Sequence, residues 1–148
     1  MGSSYREIVG LRWVESCEAG PFSTSKKLSR LQRAGIRYES VIAKGLKREF
    51  PSARVLRGIW LRFEDANGLG WAQPDILVPE ENLLVECKLS FTRVAEGQIS
   101  KLYAPLVERL WGRSPRLVCC CKFARAEGPE APIASWSEAS PGLSWLLR

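Results

Sequence analysis

The residues able to do chemistry gather between Ala72 and Leu89, where Asp75, Glu86 and Lys88 are spaced for a β-hairpin to bring them together. Two apolar runs, Ile76 to Val78 and Leu83 to Val85, flank the polar turn Pro79-Glu80-Glu81-Asn82, a strand-turn-strand pattern with proline at the loop edge. If Val78 faces Leu83, the same antiparallel register sets Asp75 opposite Glu86. Strand residues alternate faces, so Glu86 and Lys88 share one side while Val85 and Cys87 point to the other. Two carboxylates directly across an antiparallel pair, with β-carbons about 5 Å apart, repel each other and weaken the sheet. A divalent cation between them reverses the sign. A hard ion such as Mg²⁺ takes oxygen ligands, usually from one or two protein carboxylates, and completes its shell with water and substrate phosphate. A lysine two residues past the second carboxylate lies where its ammonium orients a nucleophile and offsets charge developing on a phosphate.

Composition narrows the alternatives. The chain has no histidine, which removes Ser-His and Cys-His nucleophile pairs and His-ligated zinc. Five cysteines, with Cys119, Cys120 and Cys121 adjacent, do not make a disulfide framework and agree with a reducing compartment. No apolar run approaches a membrane span, and the first residues lack the layout of a secretory signal, so the expectation is a cytoplasmic protein with no membrane partner. A length of 148 residues suits a single domain, residues 1–148. The net charge of +6 is distributed as +5 over residues 1–50, −2 over 51–100 and +3 over 101–148. An acidic middle between basic ends suits a metal-binding centre within a surface that holds a polyanion, although a solvated basic surface explains the ends equally well.

The elements that must position these residues are legible in part. A short helix capped by Ser23 or Thr24 is expected to run to about Ala34 and stop at Gly35. Lys26, Arg30 and Arg33 line one face of it, either as a phosphate-backbone contact or as a plain solvated face, and Leu28 and Leu31 supply the buried side. A second helix from Tyr38 to Glu49 carries Tyr38, Val41, Ile42 and Leu46 and is closed by Phe50-Pro51. Glu39 stands near its start, where the helix dipole favours a carboxylate. Ala53 to Phe63 reads as a strand that Gly58 can bend, and it forms a three-strand meander with the hairpin through the turn Glu64 to Gly68, whose Glu64 and Asp65 read as ordinary loop charges. A helix from Ser90 or Thr92 toward Leu110 follows, kinked or restarted at Pro105. Arg116 to Phe123 is a strand that returns beside the hairpin through this helical crossover. Residues 124–148 add a loop, an edge strand at Ile133 to Trp136 and a terminal helix from Ser140-Pro141. The fold class is therefore α/β, a central mixed sheet of four to five strands flanked by helices, in the order αβββαβ.

Pro74-Asp75, ten residues, then Glu86-Cys87-Lys88 resembles the PD-(D/E)XK nuclease superfamily, with the branch, RecB-type or restriction-endonuclease-like, left open. The resemblance covers about residues 38–123 as the nuclease core, with 1–37 as a basic N-terminal extension, and implies a restriction-endonuclease-like core. It implies that Asp75 and Glu86 bind Mg²⁺ or Mn²⁺ together with the backbone carbonyl of Cys87, that Lys88 assists attack on a phosphodiester, and that Glu39 is a candidate further ligand. Some branches carry Gln-x-x-x-Tyr on the helix after the hairpin, touching DNA or the active-site lysine. Here Gln98 is carried over with Lys101 as a weaker DNA contact, and Tyr103, one residue further on than the motif requires, is read as turned away into packing. The implied activity is metal-dependent hydrolysis of DNA by a stand-alone endonuclease in repair, recombination or processing. Superfamily members are often dimers, which makes a homodimer a further expectation.

Two other readings stand beside it. One is a nucleic-acid-binding module with the same fold and no catalysis, which gains nothing from carboxylates set near phosphate. The other is a protein-interaction domain with an accidental motif, for which the six tryptophans leave room.

Overall fold

The computed structural model describes residues 6–21, 27–89, 97–122 and 133–134. Its longest element, helix α1 (Arg30–Glu49), begins at Ser29. Ser29 Oγ accepts the Gln32 N–H at 3.1 Å, and Gln32 Oε1 accepts the Ser29 N–H at 2.8 Å, a reciprocal capping box. Ser23 and Thr24, the expected caps, and Lys26 lie outside the described residues. The expected stop at Gly35 does not occur, and the two anticipated helices are one. A glycine inside a helix costs about 1 kcal/mol relative to alanine. That is less than a second nucleus would cost once the turns from Tyr38 onward are pinned by packing. The end falls at the anticipated place: the Phe50 N–H closes on the Leu46 carbonyl at 2.8 Å, and Pro51 has no N–H to continue. Tyr38, Ile42, Ala43 and Leu46 form the buried face. Leu28 and Leu31, expected to be buried, are 43% and 73% exposed, because the apolar stripe that seats α1 starts only at Tyr38.

The strands divide between two sheets. A three-stranded antiparallel sheet runs β1 (Trp13–Cys17), β3 (Trp60–Asp65), β4 (Gly68–Ala72). A five-stranded mixed sheet has the order β2 (Leu56–Arg57), β5 (Ile76–Val78), β6 (Leu83–Lys88), β7 (Arg116–Cys121), β8 (Ile133–Ala134). The strand expected from Ala53 to Phe63 is thus two strands, one in each sheet: β2 makes the expected three-strand antiparallel arrangement with the hairpin strands β5 and β6, while β3 pairs with β1 and β4 instead. Gly58, at φ +71°, is the point of separation. Residues 13–17, set apart above as part of an N-terminal extension, pair with β3.

Two apolar faces hold the large sheet. Ile76, Val78, Leu83, Val85 and Val118 pack against Ile42 and Leu46 of α1. On the other face Leu77 and Leu84 meet Leu61 and Phe63 of the small sheet, and Ile99, Leu102, Leu106 and Val107 of the crossover between β6 and β7. That crossover is a π-helical turn, Gln98–Tyr103, leading into helix α2 (Ala104–Trp111), with Pro105 in the first turn of α2 as a restart. It returns the chain to β7, which runs parallel to β6. Residues 90–96, 123–132 and 135–148, including the expected caps Ser90 and Thr92 and the terminal helix, lie outside the described residues. The class is α/β, with helices on both faces of the larger sheet.

Asp65 is not an ordinary loop charge. It is 1% exposed, takes the Arg6 guanidinium, and accepts the N–H groups of Val9 at 3.2 Å and Asn67 at 2.9 Å. A buried carboxylate requires partners of this kind, and these pin the residues before β1 onto the small sheet.

The Gly58 conformation gives the first expected outcome. Nothing lies within 4 Å of where its Cβ would stand, so the cost of Gly58→Ala is conformational and not steric. Urea unfolding of that variant should show a loss of about 1–2 kcal/mol, the cost of a left-handed backbone for a residue with a side chain.

Candidate active site

The hairpin register places the chemistry. Ile76 pairs with Val85, Leu77 with Leu84 and Val78 with Leu83, joined by a 3₁₀ turn, Pro79–Glu81, that Asn82 closes at φ 52°. One step further along the same ladder, backbone and carboxylates replace each other as partners. The Asp75 N–H donates to Glu86 Oε1 at 2.8 Å, and the Cys87 N–H donates to Asp75 Oδ2 at 2.7 Å. Each carboxylate therefore satisfies a peptide group on the opposite strand and keeps its second oxygen, Oδ1 of Asp75 or Oε2 of Glu86, off the backbone. Lys88 Nζ stands 3.6 Å from Glu86 Oε2. The Lys88 side chain is 35% exposed and that of Glu86 only 1%, so the cluster opens to solvent at the lysine.

Electrostatics in this cluster are unbalanced toward negative charge. Burial, and then the charge of Glu39, push Asp75 up to about 6, against the Cys87 N–H and Lys88, which pull it down. Burial and the neighbouring Asp75 push Glu86 well above the ordinary carboxylate range, with Lys88 opposing. The two carboxyls are close enough to share a hydrogen bond, and burial with their mutual repulsion disfavours charging both in the absence of a cation. The oxygens left off the backbone, the excess charge and the all-oxygen donor set fit a hard divalent ion such as Mg²⁺ or Mn²⁺, which needs few protein ligands. Among the described residues no group of three or more His, Cys, Asp and Glu side chains is arranged to hold a metal. Two carboxylates, with the Cys87 carbonyl on the strand between Glu86 and Lys88, make up the set available here.

The other anticipated residues are distributed unevenly. Glu39 lies in the middle of α1 and not near its start, since the helix begins at Arg30, and the dipole reading therefore lapses. Its Oε1 accepts Arg57 Nε at 3.0 Å, so it reaches the cluster as a charge acting on Asp75. Gln98 opens the π-helical turn and makes no hydrogen bond to the cluster among the described residues. Lys101 forms an exposed ion pair with Glu7 at 3.5 Å. Arg30 and Arg33 are exposed in the first turn of α1, away from its seated half.

Tyr103 packs in the hydrophobic core, as expected, but the turn that carries it is not the α-helical one from which its offset from the face of Gln98 follows. The Ala104 N–H bonds to the Ile99 carbonyl, five residues back, so the turn holds one residue more than an α-helical turn. Residues five apart then take roughly the relation that residues four apart have in an α-helix. The surplus residue between Gln98 and Tyr103 is absorbed, and Tyr103, 6% exposed, lies where the charges of Glu86 and Asp75 act on it. Burial first, then those two charges, push its phenol pKa upward, so the hydroxyl stays protonated as a donor. The one-residue excess in the spacing was the available signal.

The raised carboxylates carry a pH signature. A group whose pKa is higher folded than unfolded contributes stability below its unfolded value and loses it as the pH rises through its folded value. For Asp75 this runs from 3.8 to about 6, an upper limit of about 3 kcal/mol. Thermal unfolding in EDTA should show a melting temperature that falls across this interval. In Asp75→Asn the fall should shrink, and Mg²⁺ should restore stability in the wild type only toward and above its upper end.

Comparison with protein-family models, with curated proteins and with solved structures returned no match to this chain.

Proposed function

We propose that this protein is a metal-dependent nuclease that hydrolyses phosphodiester bonds in DNA, built on a restriction-endonuclease-like core of the PD-(D/E)XK type. The observation that carries the reading is the reciprocal pairing of Asp75 and Glu86 across β5 and β6, with Lys88 beside the free oxygen of Glu86. Helix α1, the hairpin, the helical crossover and the parallel strand β7 support the core assignment by their order.

In this reading Asp75, Glu86 and the Cys87 carbonyl would hold the cation. A bound Mg²⁺ or Mn²⁺ supplies Lewis-acid stabilisation of charge on the phosphoryl oxygens and lowers the pKa of water. Lys88, at the open end of the cluster, orients the attacking water and balances charge that builds on the phosphate. The buried hairpin fixes the two carboxylates through backbone hydrogen bonds, so they need little rearrangement to receive the ion. Tyr103, held protonated, offers a hydroxyl donor on the same side. Glu39, tied to Arg57, adds negative charge that favours a cation over a proton-free empty site.

Cleavage of labelled plasmid and oligonucleotide DNA in Mg²⁺ tests this reading. Asp75→Ala should abolish turnover, and Lys88→Ala should lower it about 10²–10³-fold, the scale for loss of one electrostatic stabiliser. Both variants should retain the far-ultraviolet dichroism of the wild type. Unchanged cleavage in either folded variant overturns the assignment.

A further inference from the structure

Three of the six tryptophans meet on the outward face of the three-stranded sheet. Leu61, Phe63 and Ala72 point into the core, so alternation sends Trp13, Trp60, Arg62, Leu69 and Trp71 outward. The Arg62 guanidinium carbon lies 5.8 Å from the ring centroids of both Trp13 and Trp71, and Trp60 meets Trp71 edge-on at 6.1 Å and 85°. Gly20 backs this cluster: a Cβ there would stand 2.2 Å from the Trp60 indole nitrogen, so only glycine lets the chain after β1 lie against that ring. Trp71 is 38% exposed and Leu69 56%. The carboxylates on this face are matched, Glu15 by Arg62 at 3.8 Å and Glu64 by Arg12 at 3.3 Å.

We infer that the outward face of β1, β3 and β4, centred on Trp71, Trp13 and Arg62, is a stacking platform for an unpaired stretch of nucleic acid. Rings on an antiparallel sheet, interleaved with a guanidinium, bind bases through their π faces with little regard to sequence. Paired bases in a duplex do not expose those faces. The net charge of +6 complements a polyanion, and the acidic groups of the face are already paired. Position supplies the remaining argument: β4 ends at Ala72, and only Gln73 and Pro74 separate it from Asp75. Four residues of chain span at most about 14 Å, which places Trp71 within a few nucleotides of the carboxylates. The inference rests on the proposed nuclease reading for the role of the platform, and it makes the substrate class single-stranded or locally melted nucleic acid.

The test is binding without cleavage. Labelled oligothymidylate, oligouridylate and a duplex of equal length are titrated in EDTA with wild-type protein, Trp71→Leu and Trp71→Phe, following anisotropy. At least one single strand should bind more tightly than the duplex. Trp71→Leu should weaken that binding about tenfold, and Trp71→Phe should stay within about threefold of the wild type, since a ring is kept. The phenylalanine variant separates stacking from folding, and melting temperatures of both variants accompany the titration. Unchanged affinity in a folded Trp71→Leu protein, or tighter binding of the duplex, overturns the platform. Self-association lost in Trp71→Leu while oligonucleotide affinity is unchanged assigns the face to a protein contact and overturns it equally. Because no turnover is measured, a platform that fails here leaves the Asp75 and Lys88 cleavage result standing, and the converse also holds.

Discussion

The exchange of hydrogen bonds between Asp75 and the β6 backbone, and between Glu86 and the β5 backbone, is the constraint on which the rest depends. A glutamate side chain only 1% exposed is costly to bury, and a peptide N–H pointing at one of its oxygens is what makes the burial tolerable. Because those N–H groups continue the hairpin ladder, register and site are one object. A slip by a single residue would turn Glu86 toward the α1 face and leave both carboxylates without partners. The apolar residues Ile76 to Val78 and Leu83 to Val85 are buried on both faces, so the penalty for a slip falls on the carboxylates rather than on them.

The surroundings sharpen the same imbalance. Arg57, on the strand next to β5, is occupied by Glu39, and Arg54 by Glu80, so neither neutralises Asp75. Lys88 is the cation whose charge opposes the raised pKa of both carboxylates. Such an arrangement is poor as a structural ion pair, since a buried pair gains most when its charges balance. It suits a proposed site in which an external cation completes the charge.

The hairpin and its facing carboxylates were legible because strand periodicity is strict and the turn is marked by Pro79 and Asn82. The class and the parallel return through β7 were legible for the same reason: apolar runs separated by a helical pattern. What the sequence concealed has physical causes. Gly35 signals a helix stop in the sequence, but the Ser29 and Gln32 capping box starts one helix and packing of Tyr38, Ile42 and Leu46 carries it through the glycine. The division of residues 56–65 between two sheets turns on one left-handed backbone at Gly58, which periodicity on either side does not reveal. The packing of Tyr103 was legible, but the turn that carries it is wider than the α-helical one its spacing suggests. The burial of Asp65 depends on Arg6, almost sixty positions away, a contact that no local pattern encodes.

Two short links join the sheets, Gly58-Ile59 and Gln73 to Asp75, and they run side by side. Arg57 pairs with Ile76 on one side of them, and Leu61 with Ala72 on the other. A single link would act as a swivel. A doubled one behaves as a strap, resisting rotation of either sheet about the other and passing any load on the tryptophan face directly to the start of β5. Mechanical coupling between the proposed stacking face and the carboxylates beyond it is thus built into the covalent path, with no moving part required.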